Sequence, residues 1–197
     1  PNLSADHFFR LGFTLLWSGR AVEAIPNLQQ ADAQAERLGN VLLRARCLTY
    51  LSLAYRVQDD GARVRAVLNQ GWKVIAAAGD PSYLGVAEAQ RAWLAWRDRD
   101  AAAVEQHGTA ALVHWEPVQS FYPIQWAAHF PLLAVALELH QVRVAQAHAR
   151  VMLQPSQQRL PAALTEALEA AVATDVLSDA AAHLQQACRL AREQGYL

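Results

Sequence analysis

The sequence predicts an all-α fold, a right-handed superhelix of about five stacked antiparallel helical hairpins, and three observations carry that expectation. The first is composition. About a fifth of the residues are alanine, Leu, Gln, Glu and Arg are plentiful, and Lys73 is the single lysine, a bias that favours helices and leaves strands little to work with. The second is punctuation. Ser18-Gly19, Gly39-Asn40, Asp59-Asp60-Gly61, Gly79-Asp80-Pro81, Asp98-Arg99-Asp100, Glu116-Pro117, Gln154-Pro155-Ser156 and Thr174-Asp175 cut the chain into segments of about 12 to 20 residues, the length of ordinary helices. The third is repetition, and it orders the elements into one domain over residues 1–197.

Unit one, about residues 4–39, places Phe8, Leu11-Gly12 and Leu15 on a first helix and Ala24, Leu28 and Ala31 on a second. Pro26 falls inside that second helix, where the missing backbone donor predicts a kink or a late start. Unit two, about 40–79, repeats the pattern 40 residues on with Leu48, Leu51-Ser52 and Tyr55, then Val64, Leu68 and Gly71. Gly79-Asp80-Pro81-Ser82 then closes one helix and starts the next, since glycine tolerates the left-handed conformation and Ser82 can cap. Unit three, about 82–116, continues with Ala92, Val104, Gly108 and Ala111. Unit four, about 120–155, follows a step of 42 with Phe130, Leu133-Ala134 and Leu137. Ahead of it, Trp115, Phe121, Tyr122 and Trp126 surround Pro117 and Pro123, an expected aromatic plug. Unit five, about 161–195, carries Leu164, Leu168, Ala180, Leu184 and Ala187, and its Leu184-Gln185-Gln186-Ala187 repeats Leu28-Gln29-Gln30-Ala31 letter for letter. Small residues at Gly12, Ser52, Ala92 and Ala134 meet Ala24, Ala31, Gly71, Ala111 and Ala187 as the seam where paired helices approach. No single hairpin buries its apolar face, so the hairpins must stack.

This pattern resembles the tetratricopeptide repeat, with Leu11-Gly12 and Tyr55 at its signature positions; Glu88 and Arg91 depart from it. The steps of 40 residues exceed the usual 34-residue unit. They are similar instead to the long repeats in C-terminal sensor regions of large bacterial signalling ATPases, including cyclase-fused proteins and transcription activators of the maltose-regulator type. Residues 126–137 and 155–161 resemble the closing repeats of such proteins. The resemblance implies a non-catalytic protein-binding or ligand-sensing module, regulatory and cytoplasmic, whose partner is a peptide, a protein, another domain of a parent chain or a small inducer. Pro1 at the start and Met152 as the only methionine point to a piece of a longer protein.

Charge narrows the partners. Seventeen Lys plus Arg face 18 Asp plus Glu, a formal net of −1, which gives no field to recruit nucleic acid or an anionic membrane. No leader pattern and no apolar run of about 18 residues is seen, and two cysteines make no disulfide framework, so the chain reads as intracellular. No phosphate-binding loop, dinucleotide fingerprint, H-E-x-x-H, paired C-x-x-C or G-x-S-x-G occurs, so neither catalytic residues nor a cofactor is expected. Asp59-Asp60 and Asp98-Arg99-Asp100 read as helix caps. His107 with His114, and His140 with His148, lack a third ligand, so no metal site is expected. Cys47 and Cys188 read as buried thiols.

The candidate binding surface is the inner wall of the first helices: Phe9, Phe13, Trp17, Arg46, Thr49, Arg56, Trp93, Trp96 and Arg97. Aromatics interleaved with arginines suit an extended peptide or acidic partner, since arginine grips carboxylates in bidentate fashion and indoles anchor interfaces. Packing of Trp17, Trp93 and Trp96 into the interior is the competing reading. Two other functions remain: a self-association scaffold, dimerising through the hairpin that holds the alanine-rich helix 162–173, and an all-helical enzyme, which would need a deep pocket of convergent ionisable groups.

Overall fold

A computed structural model describes residues 4–118 and 124–197. Its described residues form ten α-helices: α1 (Ala5–Trp17), α2 (Ala21–Arg37), α3 (Val41–Val57), α4 (Gly61–Ala78), α5 (Pro81–Arg97), α6 (Ala101–Trp115), α7 (Trp126–Glu138), α8 (Val142–Met152), α9 (Ala162–Ala173) and α10 (Leu177–Glu193). The all-α class and the pairing of neighbouring helices are as the sequence predicts. The chain divides into two compact units, Pro1–Gln90 and Arg91–Leu197, with the boundary inside α5.

One turn recurs throughout. After α1, Gly19 takes φ +76°, its N–H donates to Leu16 O, and the Arg20 N–H donates to Leu15 O at 2.9 Å. This is the Schellman closure, which satisfies carbonyls that a helix end leaves orphaned. Asp59, Arg99 and His140 occupy the same left-handed position, with Asp60 N–H bonding Tyr55 O, Asp100 N–H bonding Ala95 O and Gln141 N–H bonding Ala136 O. The closing positions 19, 59, 99 and 140 follow one another at 40, 40 and 41 residues, close to the steps of the sequence pattern. After the second and third of these turns the next helix starts on a side-chain cap, Asp60 Oδ1 accepting from Arg63 N and Asp100 Oδ1 from Ala103 N, each at 3.0 Å. Both acidic turns are thus helix boundaries. Pro26 lies within α2, which begins at Ala21, so the expected late start does not occur.

In the first unit α1 packs on α2, α2 on α3 and α3 on α4. The small-residue seam is tight: a Cβ on Gly12 would lie 2.8 Å from Leu28 Cγ and 3.1 Å from Ala24 O. Residues 47–56 of α3 are buried without a break, so this helix is covered on all sides and its sequence shows no polar stripe. The second unit has the same plan around α7, whose residues Trp126–Ala136 are all buried and which packs against α6, α8 and α10. Gly108 on α6 would place a Cβ 2.7 Å from Leu132 Cγ of α7. Tyr196 folds back onto the start of α7, edge-on to Trp126 at 4.7 Å, and Leu197 is buried.

Candidate functional site

In the first unit, α1 supplies Phe9, Phe13 and Trp17 at i, i+4 and i+8, one stripe of a helix. The rings touch in series, Phe9 to Phe13 at 5.8 Å and Phe13 to Trp17 at 5.9 Å. Tyr50 of α3 joins them, its ring perpendicular to Phe13 at 4.9 Å. The Arg46 guanidinium lies over the Phe9 ring, 4.3 Å from its centre, a cation–π contact. Phe9 and Tyr50 are buried, while Phe13, Trp17 and Arg46 remain half-exposed. Arg46 Nε is shielded from solvent and has no hydrogen-bond acceptor. Tyr83, on the first turn of α5, is half-buried; burial raises its phenol pKa and the charge of Arg46 pulls it back.

Charge on this face is one-sided. α3 contains Arg44, Arg46 and Arg56 and no Asp or Glu. Arg44 is spent on α2, bonding Asp32 at 3.1 Å and Glu36 at 2.9 Å. Burial raises the Asp32 pKa while the bond to Arg44 lowers it.

Thr49 and Arg56 correct the expected wall, because both are fully buried and offer nothing to a partner. The Thr49 hydroxyl donates back to Ala45 O and Arg46 O of its own helix. Arg56 Nη1 makes a long 3.5 Å contact with Oε1 of the fully buried Gln90, and burial lowers its pKa. The wall is α3's choice of face, and the helix packs against more neighbours than the single-helix pattern conveys.

The second unit holds the remaining predicted residues. Trp93 is fully buried, with the exposed Arg97 guanidinium 4.9 Å from its ring centre. Trp96 is half-buried and packs on the cluster of Ala95, Val104, Leu132 and Val135, with Arg192 of α10 stacked 4.8 Å from its ring centre. Trp93 is therefore an interior group, while Trp96 keeps part of its surface exposed. Of the expected aromatic plug, Trp115 and Trp126 are buried; Phe121, Tyr122 and Pro123 lie outside the described residues.

Two features escaped the sequence reading. His129 of α7 and His148 of α8 face each other with Nδ1 atoms 2.9 Å apart. Burial, then the neighbouring imidazole, depresses the His129 pKa to about 3, and burial lowers that of His148. The second is a groove of about 600 Å³ bordered by Met152, Gln157, Gln158, Arg159, Thr165 and Glu166. The register across the α7–α8 turn was the available signal for the histidine pair.

Among the described residues no three His, Cys, Asp or Glu side chains gather in a metal-sized cluster, and no described helix is long and apolar enough to cross a membrane. Cys47 and Cys188 are buried free thiols, each pushed up to about 12 by burial. Comparison with protein-family models, curated proteins and solved structures finds no match.

Proposed function

We propose that this chain is a non-catalytic regulatory interaction module whose α1–α3 face binds an extended acidic peptide segment. The observation that carries the reading is Arg46. Its guanidinium lies over the Phe9 ring beside a half-open aromatic run, on a helix without carboxylates. A carboxylate would take the fork while an apolar neighbour rests on Phe13 and Trp17. In keeping with the tetratricopeptide-like pattern, the segment belongs to a partner protein or to another domain of a bacterial signalling ATPase or transcription regulator in the cytoplasm. Regulation then requires the segment to be exposed in one state of that partner and covered in the other.

The test is fluorescence anisotropy against an array of acidic peptides with aromatic or leucine neighbours. Arg46→Ala weakens the best binder by about tenfold or more, with an unchanged thermal midpoint. Arg46→Lys fails to restore it, since an ammonium lacks the planar fork. Equal binding by all three proteins overturns the reading.

A further inference from the structure

We propose that His129 and His148 form a two-coordinate site for a soft monovalent d10 cation, Cu(I) in the cell and Ag(I) as its redox-inert stand-in. The inference stands apart from the peptide face and rests on the geometry between α7 and α8. The two Nδ1 atoms lie 2.9 Å apart and the ring centres 5.1 Å apart, so one Nδ1–H donates into the lone pair of the other ring. Two nitrogen donors directed at each other across a gap are the ligand set of a linear site.

Zinc needs four ligands from nitrogen, sulfur and oxygen, and no third described His, Cys, Asp or Glu joins the pair. A two-ligand d10 ion needs none. Its single charge also costs less to bury than a double one beside His129, which is 4 % exposed. Met152, a buried residue, follows His148 by one helical turn and so shares its face of α8; a thioether there favours a soft ion over a hard one. His148 is half-exposed and supplies the entrance.

Metal–nitrogen bonds of about 2 Å place in-line donors about 4 Å apart, so the rings must part by roughly 1 Å through their broad χ2 torsions. The proton count closes. On binding, the donor imidazole releases its Nδ1 proton to water and takes one at Nε2, while the acceptor already carries Nε2–H. Both rings remain neutral, and one cation is gained with no net proton released.

The experiment is titration of the histidine-15N-labelled full chain with silver nitrate in chloride-free buffer, followed by ring-nitrogen NMR. The Nδ1 signals of His129 and His148 are expected to move together and saturate at one equivalent, before those of His7, His107, His114, His140 and His183. Reporting at the rings keeps any uptake by the buried thiols of Cys47 and Cys188 distinguishable. His148→Gln leaves His129 an amide partner, which circular dichroism checks as folded, and weakens the site by a hundredfold or more. Saturation of other histidines while this pair keeps its metal-free signals overturns the proposal, as does unchanged binding at His129 in the variant.

Discussion

The two units share a plan and differ in how their central helix handles polarity. In the first, α3 buries Thr49, Ser52 and Arg56, and both hydroxyls are satisfied inside the helix, Ser52 Oγ donating to Thr49 O at 2.7 Å. The ties from α3 to α2 run near the surface, through Arg44 to Asp32 and Glu36 and through Tyr55 to Gln29. In the second, α7 buries His129, whose partner is on α8. Gln146 of α8 in turn donates to Ala171 O at 2.8 Å and Thr174 O at 3.0 Å, satisfying the end of α9. The first unit uses arginine in its links, at its edge through Arg44 and in its interior through the Arg56–Gln90 contact, whereas the second links α7, α8 and α9 by neutral groups. The first therefore keeps arginine available for a partner, and the second is the more sensitive to acid.

Five substitutions or conditions sharpen this contrast. The largest effect belongs to Phe130→Ala, which empties a fully buried position of α7 and costs about 3–5 kcal/mol in urea unfolding; Phe13→Ala, on the half-exposed run, costs clearly less. Acid comes next. His129 has a folded pKa depressed to about 3 against an unfolded value near 6.5, so its contribution is complete above pH 6.5 and drains away as pH falls toward 3. Hydrogen exchange should show α7–α8 amides losing on the order of 2–4 kcal/mol of protection, while amides of α2 and α3 lose less. Gln146→Ala strips two carbonyls at the end of α9 of their donor and lowers the urea midpoint by about 2 kcal/mol equivalent. Arg99→Gly relieves a left-handed residue at φ 60° and raises stability by about 0.5–1 kcal/mol.

Turns and seams were legible in the sequence because both are local. Gly19, Asp59 and Arg99 close hairpins at breaks the sequence marks, while the turn at His140 carried no such mark and takes that residue off the helix face expected to hold it with His148; Gly12 and Gly108 must be small because leucine atoms stand within 3 Å of where a Cβ would be. What the sequence concealed depends on several helices together. Thr49, Arg56 and Trp93 lie on the expected face, yet the packing around α3 and α5 encloses them. A spacing rule within one helix could not pair His129 with His148, since their meeting is set by how two helices dock after the turn at His140. Arginine stacking was visible as composition and became specific only as geometry: Arg46 on Phe9 and Arg192 on Trp96.

That last pair supplies the decisive measurement. Arg46 and Arg192 each stack on an aromatic ring, one on the proposed peptide face and one on the second unit. Anisotropy titrations of the best acidic peptide with the natural chain, Arg46→Ala and Arg192→Ala should show binding lost about tenfold or more in the first variant and retained in the second. Equal loss in both, or none in either, would contradict a peptide site built on α1 and α3.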